Sequence, residues 1–114
     1  MESEPFDVAI ETRDDVCVVT VTGEIDVTTV PELVSTLAPH EATLRHRWII
    51  DIGHVSFIDS TGLNAFVNAH RELEQQGVEF RLVVPPSSTA HRALEITGLL
   101  HELNVVNSVE DALT

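Results

Sequence analysis

A chain of 114 residues allows one domain, spanning 1–114, with a single core that can bury roughly two thirds of its unfolded surface. Its hydrophobic content of 43% argues against disorder, and with only 4% aromatic residues the core has to be built from Val, Leu and Ile. Acidic residues outnumber basic ones 19 to 6, and the formal charge of −13 repels phosphate backbones and anionic lipid; no nucleic acid and no membrane is expected as a partner, while a basic protein patch would be attracted.

The first residues, MESEPFDV, are acidic and lack a long apolar run, so neither a signal peptide nor a spanning helix is expected there. Residues 6–12 alternate, with Phe6, Val8 and Ile10 opposite Asp7 and Glu11, as in a half-buried strand. Asp14 and Asp15 turn the chain into a second strand over 16–22, which should pair with the first as a hairpin. Cys17, the only cysteine, lies among valines in that strand and reads as a small buried side chain; with no intrachain disulfide possible, a cytoplasmic location is expected. Gly23 to Asp26 should break the strand. A helix follows over about 28–38, capped by Thr28 or Thr29, with Pro31 in its first turn, a stripe of Val30, Leu33, Val34 and Leu37, and Pro39 as its stop.

Residues 47–52 are almost continuously apolar, as in a strand covered on both faces. A loop over 53–60 should lead into a helix over 61–76, with an inner stripe of Leu63, Phe66, Val67, His70 and Leu73 and Gly77 at its C-terminus. His70 on that stripe reads as a satisfied, half-buried histidine. A strand over 78–84, parallel to the previous one through a right-handed crossover, precedes Pro85 and Pro86. A third helix with Ala90, Ala93, Leu94 and Ile96 inside and Gly98 at its end, a short strand over 103–106, and a last helix capped by Ser108 complete an α/β domain: a mixed five-stranded sheet with about four helices.

Sites in open α/β sheets gather where strands end and helices begin. Two places qualify: Gly23-Glu24-Ile25-Asp26 and Phe57-Ile58-Asp59-Ser60-Thr61-Gly62. Ser60 and Thr61 fall at a helix start, where free N–H groups and the helix dipole welcome a phosphate, and Gly62 would let a partner's backbone come close. Ordinary capping accounts for the same residues, and on pattern alone it is the commoner reason. A nucleophilic serine would need a base and an oxyanion hole, and the G-x-S-x-G elbow is absent. The six histidines show no zinc-ligand spacing, and His40, Arg45, His46 and Arg47 form a small basic segment that reads as a solvated loop. All six basic residues are arginines, and the absence of lysine excludes a Walker-type phosphate loop and pyridoxal chemistry; no cofactor is expected. It also sets aside an aspartyl-phosphate receiver built on Asp51, which should instead anchor its loop by accepting backbone hydrogen bonds.

The stretch from Ile49 to Leu63, centred on Asp59-Ser60-Thr61-Gly62, resembles the signature of STAS domains, specifically of the anti-sigma-factor antagonists. Val19 to Asp26 is similar to their second motif and His91 to Leu99 to their third, all in the family's order. The resemblance implies the STAS fold and a bacterial, non-enzymatic anti-anti-sigma factor. Its unphosphorylated form would bind an anti-sigma factor that is also a serine kinase of the GHKL type, and so free a sigma factor. Phosphorylation at Ser60, with Thr61 as a secondary acceptor, would switch binding off, and a PP2C-type phosphatase would reset it. The partner-binding residues would be Asp26, Asp59, Ser60, Thr61, Gly62 and Asn64. The alternative is an unphosphorylated STAS scaffold module within a larger signalling or lipid-transport assembly.

Overall fold

The computed structural model describes residues 5–38 and 46–114. Strand β1 (Asp7–Arg13) and strand β2 (Val16–Ile25) form the expected hairpin, with Asp7 opposite Thr22 and Arg13 opposite Val16. Asp14 turns the chain at φ 52, a left-handed conformation that aspartate tolerates. Helix α1 (Val30–Leu37) leads to strand β3 (Arg47–Ile58), helix α2 (Ser60–Gln75) to strand β4 (Glu79–Val83), and helix α3 (Thr89–Thr97) with a 3-10 turn at Leu99–His101 to strand β5 (Val105–Val106); helix α4 (Val109–Leu113) ends the chain. The sheet order is β1-β2-β3-β4-β5, antiparallel at β1 and parallel elsewhere, which is the mixed sheet expected from the sequence.

Alternation splits the sheet into two unequal faces. Cys17, Val19, Val21, Trp48, Ile50, Ile52, Phe80 and Leu82 point into the main core, where α1, α2 and α3 supply Leu33, Leu37, Phe66, Leu73, Ala90 and Leu94. Val18, Ile49 and Val83 face the other way and are covered by Ala112 and Val109 of α4. Both faces of the central strands are therefore apolar, which explains the unbroken run at Trp48 to Ile50.

Several expectations need correction. Gly23 does not end β2: it adopts φ +88 and the strand continues to Ile25. A Cβ at Gly23 would lie 2.7 Å from the Phe6 Cα, so the residue is required both for its backbone conformation and for the close pass of the chain entering β1. The loop expected over 53–60 is mostly strand. β3 runs to Ile58 and takes up extra residues at two register shifts against β2, one between the Thr20 and Thr22 pairings and one between those of Gly23 and Glu24. Glycine and serine in this stretch read as breakers, yet they are absorbed as bulges. Asp51 accepts a hydrogen bond from the Gly53 amide (2.9 Å) at the first of them, the anchoring role expected of it.

Ile96 is 74% exposed rather than inside, Val34 is exposed on α1, and Ile10 is exposed on the edge strand β1. Neither Thr28 nor Thr29 caps α1 through its hydroxyl in the expected way; the Thr29 hydroxyl turns back to the Glu24 carbonyl (2.9 Å). Pro39, His40 and Arg45 lie outside the described residues. The remaining part of the basic segment is structural. Arg47 donates to Glu79 (3.2 Å) and to the carbonyl of Ala112 (3.0 Å), and Arg81 donates to the same carbonyl (3.1 Å), so two guanidiniums hold the C-terminal end of α4.

Candidate partner-binding site

β4 stops pairing with β3 at Asp51, opposite Val83, whereas β2 and β3 run on together to Ile25 and Ile58. The two strands thus extend beyond the rest of the sheet as a parallel pair. Each ends in an aspartate followed by a threonine two residues on: Asp26-Val27-Thr28 after β2 and Asp59-Ser60-Thr61 after β3. The tips are joined by the Asp59 amide, which donates to the Ile25 carbonyl (3.1 Å).

The two aspartates do the same job. Asp59 Oδ1 accepts from the amides of Thr61 (3.0 Å) and Gly62 (3.2 Å) and from the Thr61 hydroxyl (2.5 Å). Asp26 Oδ1 accepts from the amides of Thr28 (2.9 Å) and Thr29 (3.3 Å) and from the Thr28 hydroxyl (2.6 Å). Asp59 thereby satisfies free amides in the first turn of α2, whereas Asp26 closes the turn that precedes α1, whose first residue is Val30. The Thr61 hydroxyl, helped by the amides of Gly62 and Thr61, holds the Asp59 carboxyl below the usual carboxylate range, although burial and the negative charge of Asp26 push the other way. The Thr28 hydroxyl and amide do the same for Asp26. Both carboxylates stay ionised at neutral pH and both are poor bases.

Ser60 is the first residue of α2 and is exposed. Its hydroxyl makes no hydrogen bond to any described residue, because Asp59 has taken the capping role that the sequence also allowed Ser60 to fill. Thr61 and Asn64 are exposed too, and Asn64 lies one turn after Ser60, on nearly the same side of α2. Asp26, Asp59, Ser60, Thr61 and Asn64 therefore belong to one end of the molecule.

Gly62 is buried, and what approaches it is internal. A Cβ there would meet Ile25 Cγ2 at 2.5 Å and Ile58 Cγ1 at 2.9 Å. Its missing side chain lets the first turn of α2 sit directly on the ends of β2 and β3. The expected close approach at this position is thus made by the chain's own strands.

Two apolar residues at this end are exposed in a way the sequence did not show: Val27 was not singled out, and Phe57 was named only as the first residue of the second candidate stretch. Val27, between Asp26 and Thr28, is 69% exposed, and Phe57, opposite Glu24 on the β2/β3 extension, is 47% exposed. Val27 occupies in the first Asp-x-Thr turn the place that Ser60 occupies in the second. The repeat of that pattern was a signal that could have found Val27; Phe57 was hidden because a buried strand would show the same apolar residue. No Lys or Arg occurs between Cys17 and Ala38 or between Trp48 and His70, so β2, α1, most of β3 and the first turns of α2 are without strong cations.

The family model described as the STAS domain matches residues 7–112. An anti-sigma-B factor antagonist of Staphylococcus epidermidis is 36% identical over 99 residues, which cover 87% of this chain and 91% of that protein. The crystal structure of an anti-sigma factor antagonist from Mycobacterium paratuberculosis superposes with a TM-score of 0.85 at 30% identity, covering 98% of this chain and 96% of the other. The Bacillus cell fate determinant SpoIIAA in its phosphorylated form matches with a TM-score of 0.65 at 22% identity, over 94% of each chain, a likeness of fold.

Proposed function

This chain belongs to the STAS-domain family, and from that premise we propose that it is an anti-sigma-factor antagonist, a binding switch rather than a catalyst, turned off by phosphorylation of Ser60. The observation that carries the reading is the Ser60 hydroxyl: exposed, at the first position of α2, and free of any hydrogen bond to the described residues. An anti-sigma factor docks on Asp26, Val27, Phe57, Ser60, Thr61 and Asn64. The acidic chain steers its approach toward a basic surface on that partner, and the two exposed apolar side chains supply the contact that loses water.

The partner is a serine kinase of the GHKL type. On docking, the Ser60 hydroxyl faces the nucleotide, and its oxygen attacks the γ-phosphorus of ATP. The Oγ–P bond forms, the bond to ADP breaks, and the hydroxyl proton passes to a base of the kinase. The product carries about −1.5 to −2 extra charges at Ser60. The α2 N-terminus tolerates a phosphate, so the fold survives. The interface does not: a dianion confined beside Asp59, Val27 and the phosphates of bound ADP cannot be desolvated without a partner charge. Long-range attraction is little changed, because a chain already at −13 gains a small fraction of its charge. A PP2C-type phosphatase restores the hydroxyl.

The experiment is copurification with the Ser60→Ala protein, followed by incubation of the wild type with the captured kinase and ATP and mapping of phosphate by mass spectrometry. Label at Ser60 is expected. Label confined to other residues contradicts the site, and recovery of a large multi-subunit assembly with no anti-sigma factor favours a scaffold role instead.

A further inference from the structure

Two adjacent hydroxyls, on Ser60 and Thr61, are exposed at the start of α2, and the structure treats them differently. Thr61 donates its hydroxyl proton to Asp59 Oδ1 at 2.5 Å, while Ser60 is unbound among the described residues. We infer that Asp59 is a positioning residue that decides which hydroxyl is phosphorylated, by holding Thr61 against its own carboxylate and leaving Ser60 as the sole free acceptor. This rests on the reading of Ser60 as the phosphorylated residue and adds to it the cause of the choice.

Three physical effects act together. The hydrogen bond fixes the Thr61 side chain in one rotamer, with its oxygen turned back toward the cap, so reaching a nucleotide requires breaking that bond. The carboxylate lies against the Thr61 oxygen, and its negative charge opposes the approach of a γ-phosphate to that oxygen. Asp59 is also a weak base, since two backbone amides donate to the same oxygen that receives the threonine proton, so it does not activate the hydroxyl it holds. The first Asp-x-Thr turn shows that this arrangement comes from the local sequence pattern: Asp26 holds the Thr28 hydroxyl at 2.6 Å in the same way. There the intervening residue is Val27, which carries no hydroxyl. The only free hydroxyl in the two turns is that of Ser60, between an aspartate and a threonine that occupy each other.

The test compares phosphate maps of the full chain after incubation with the captured kinase and ATP, for the wild type, Ser60→Ala, the double variant Asp59→Ala/Ser60→Ala and the double variant Asp59→Asn/Ser60→Ala. The amide of Asn keeps an oxygen that can accept from Thr61, so it is the conservative control. Label at Ser60 in the wild type, loss of label in Ser60→Ala, gain of label at Thr61 in the Asp59→Ala double variant, and a smaller gain in the Asn variant, which keeps the acceptor oxygen and loses only the charge, are expected. A wild type labelled at Ser60, with the Asp59→Ala double variant still binding the kinase but unlabelled at Thr61, overturns the role of Asp59 and leaves the Ser60 reading intact. A wild type not labelled at Ser60 overturns both. The Thr61 hydroxyl proton gives a readout without the kinase: slowed exchange with water in the wild type by NMR, lost in Asp59→Ala, is expected, and free exchange in the wild type contradicts the hydrogen bond on which the inference stands.

Discussion

Ile25 and Asp59 are joined where β2 and β3 end: the Asp59 amide donates to the Ile25 carbonyl at 3.1 Å, and the Ile25 side chain fills the space left by Gly62, three residues further along. Ile25, together with Ile58 at the end of β3, therefore sets how closely the first turn of α2 approaches the two strand ends. The position of the Ser60 hydroxyl follows from that packing.

Gly62→Ala should lower stability. The new methyl would have to fit where Ile25 Cγ2 lies at 2.5 Å, and such overpacking costs roughly 1–3 kcal/mol. Better helix propensity returns at most about 1 kcal/mol of that. Thermal unfolding checks the sign, and a variant at least as stable as the wild type would show that the first turn of α2 moves easily. Affinity for the partner should fall as well, because the helix start shifts with it.

Ser60→Ala should leave stability within about 0.5 kcal/mol of the wild type, since no hydrogen bond of the hydroxyl is lost and the position is exposed. Denaturant unfolding measures it. A substantial loss would mean that Ser60, rather than Asp59, caps α2.

The two Asp-x-Thr turns give the protein an acid-sensitive component of stability. Hydrogen bonds from Thr28 and Thr61 lower the carboxyl pKa values of Asp26 and Asp59 in the folded state. A lowered folded pKa stabilises above the unfolded value, about 3.9, and that contribution disappears as pH falls through the folded value. Stability should therefore be flat with respect to these two groups between pH 7 and about pH 5 and should decline below about pH 4. Denaturation midpoints across that range should show a shallower acid decline in Asp26→Asn/Asp59→Asn than in the wild type. An identical decline would place the acid sensitivity elsewhere, for instance at Glu79, where burial opposes and Arg47 and Arg81 more than offset it to lower the pKa.

Arg47→Ala should loosen α4. It removes a hydrogen bond to the Ala112 carbonyl and one to Glu79, each contributing about 1 kcal/mol. Arg81 keeps a second bond to that carbonyl, so the helix should fray rather than detach. Faster amide exchange confined to α4 and the Val18–Ile49–Val83 face is the expected signature. Unchanged exchange would show that the Arg81 bond and the packing of Val109 and Ala112 hold it without Arg47.

Much of this architecture could be read from the chain. The switch from period-2 to helical spacing located each element, and the Gly98 helix end and Ser108 cap fell where their chemistry put them. What could not be read was continuation through residues that usually interrupt. Gly23, Gly53 and Ser56 look like loop residues, and only the pairing of β2 with β3 keeps them in strands. Capping was legible as a type but not in its owner, because Asp59, Ser60 and Thr61 can all cap and the geometry alone chooses Asp59. The exposure of Val27, Phe57 and Ile96 was hidden for a related reason: an apolar residue in sequence does not reveal whether its face is covered.

The central claim is that a phosphate on this one serine is compatible with the fold and incompatible with the docked partner. The most direct measurement is the affinity of the captured anti-sigma factor for the unmodified chain and for the same chain phosphorylated stoichiometrically at Ser60, with both forms shown by circular dichroism to be folded. The account predicts binding by the unmodified form and a loss of at least tenfold, about 1.4 kcal/mol, on phosphorylation. Equal affinity of the two folded forms would contradict it.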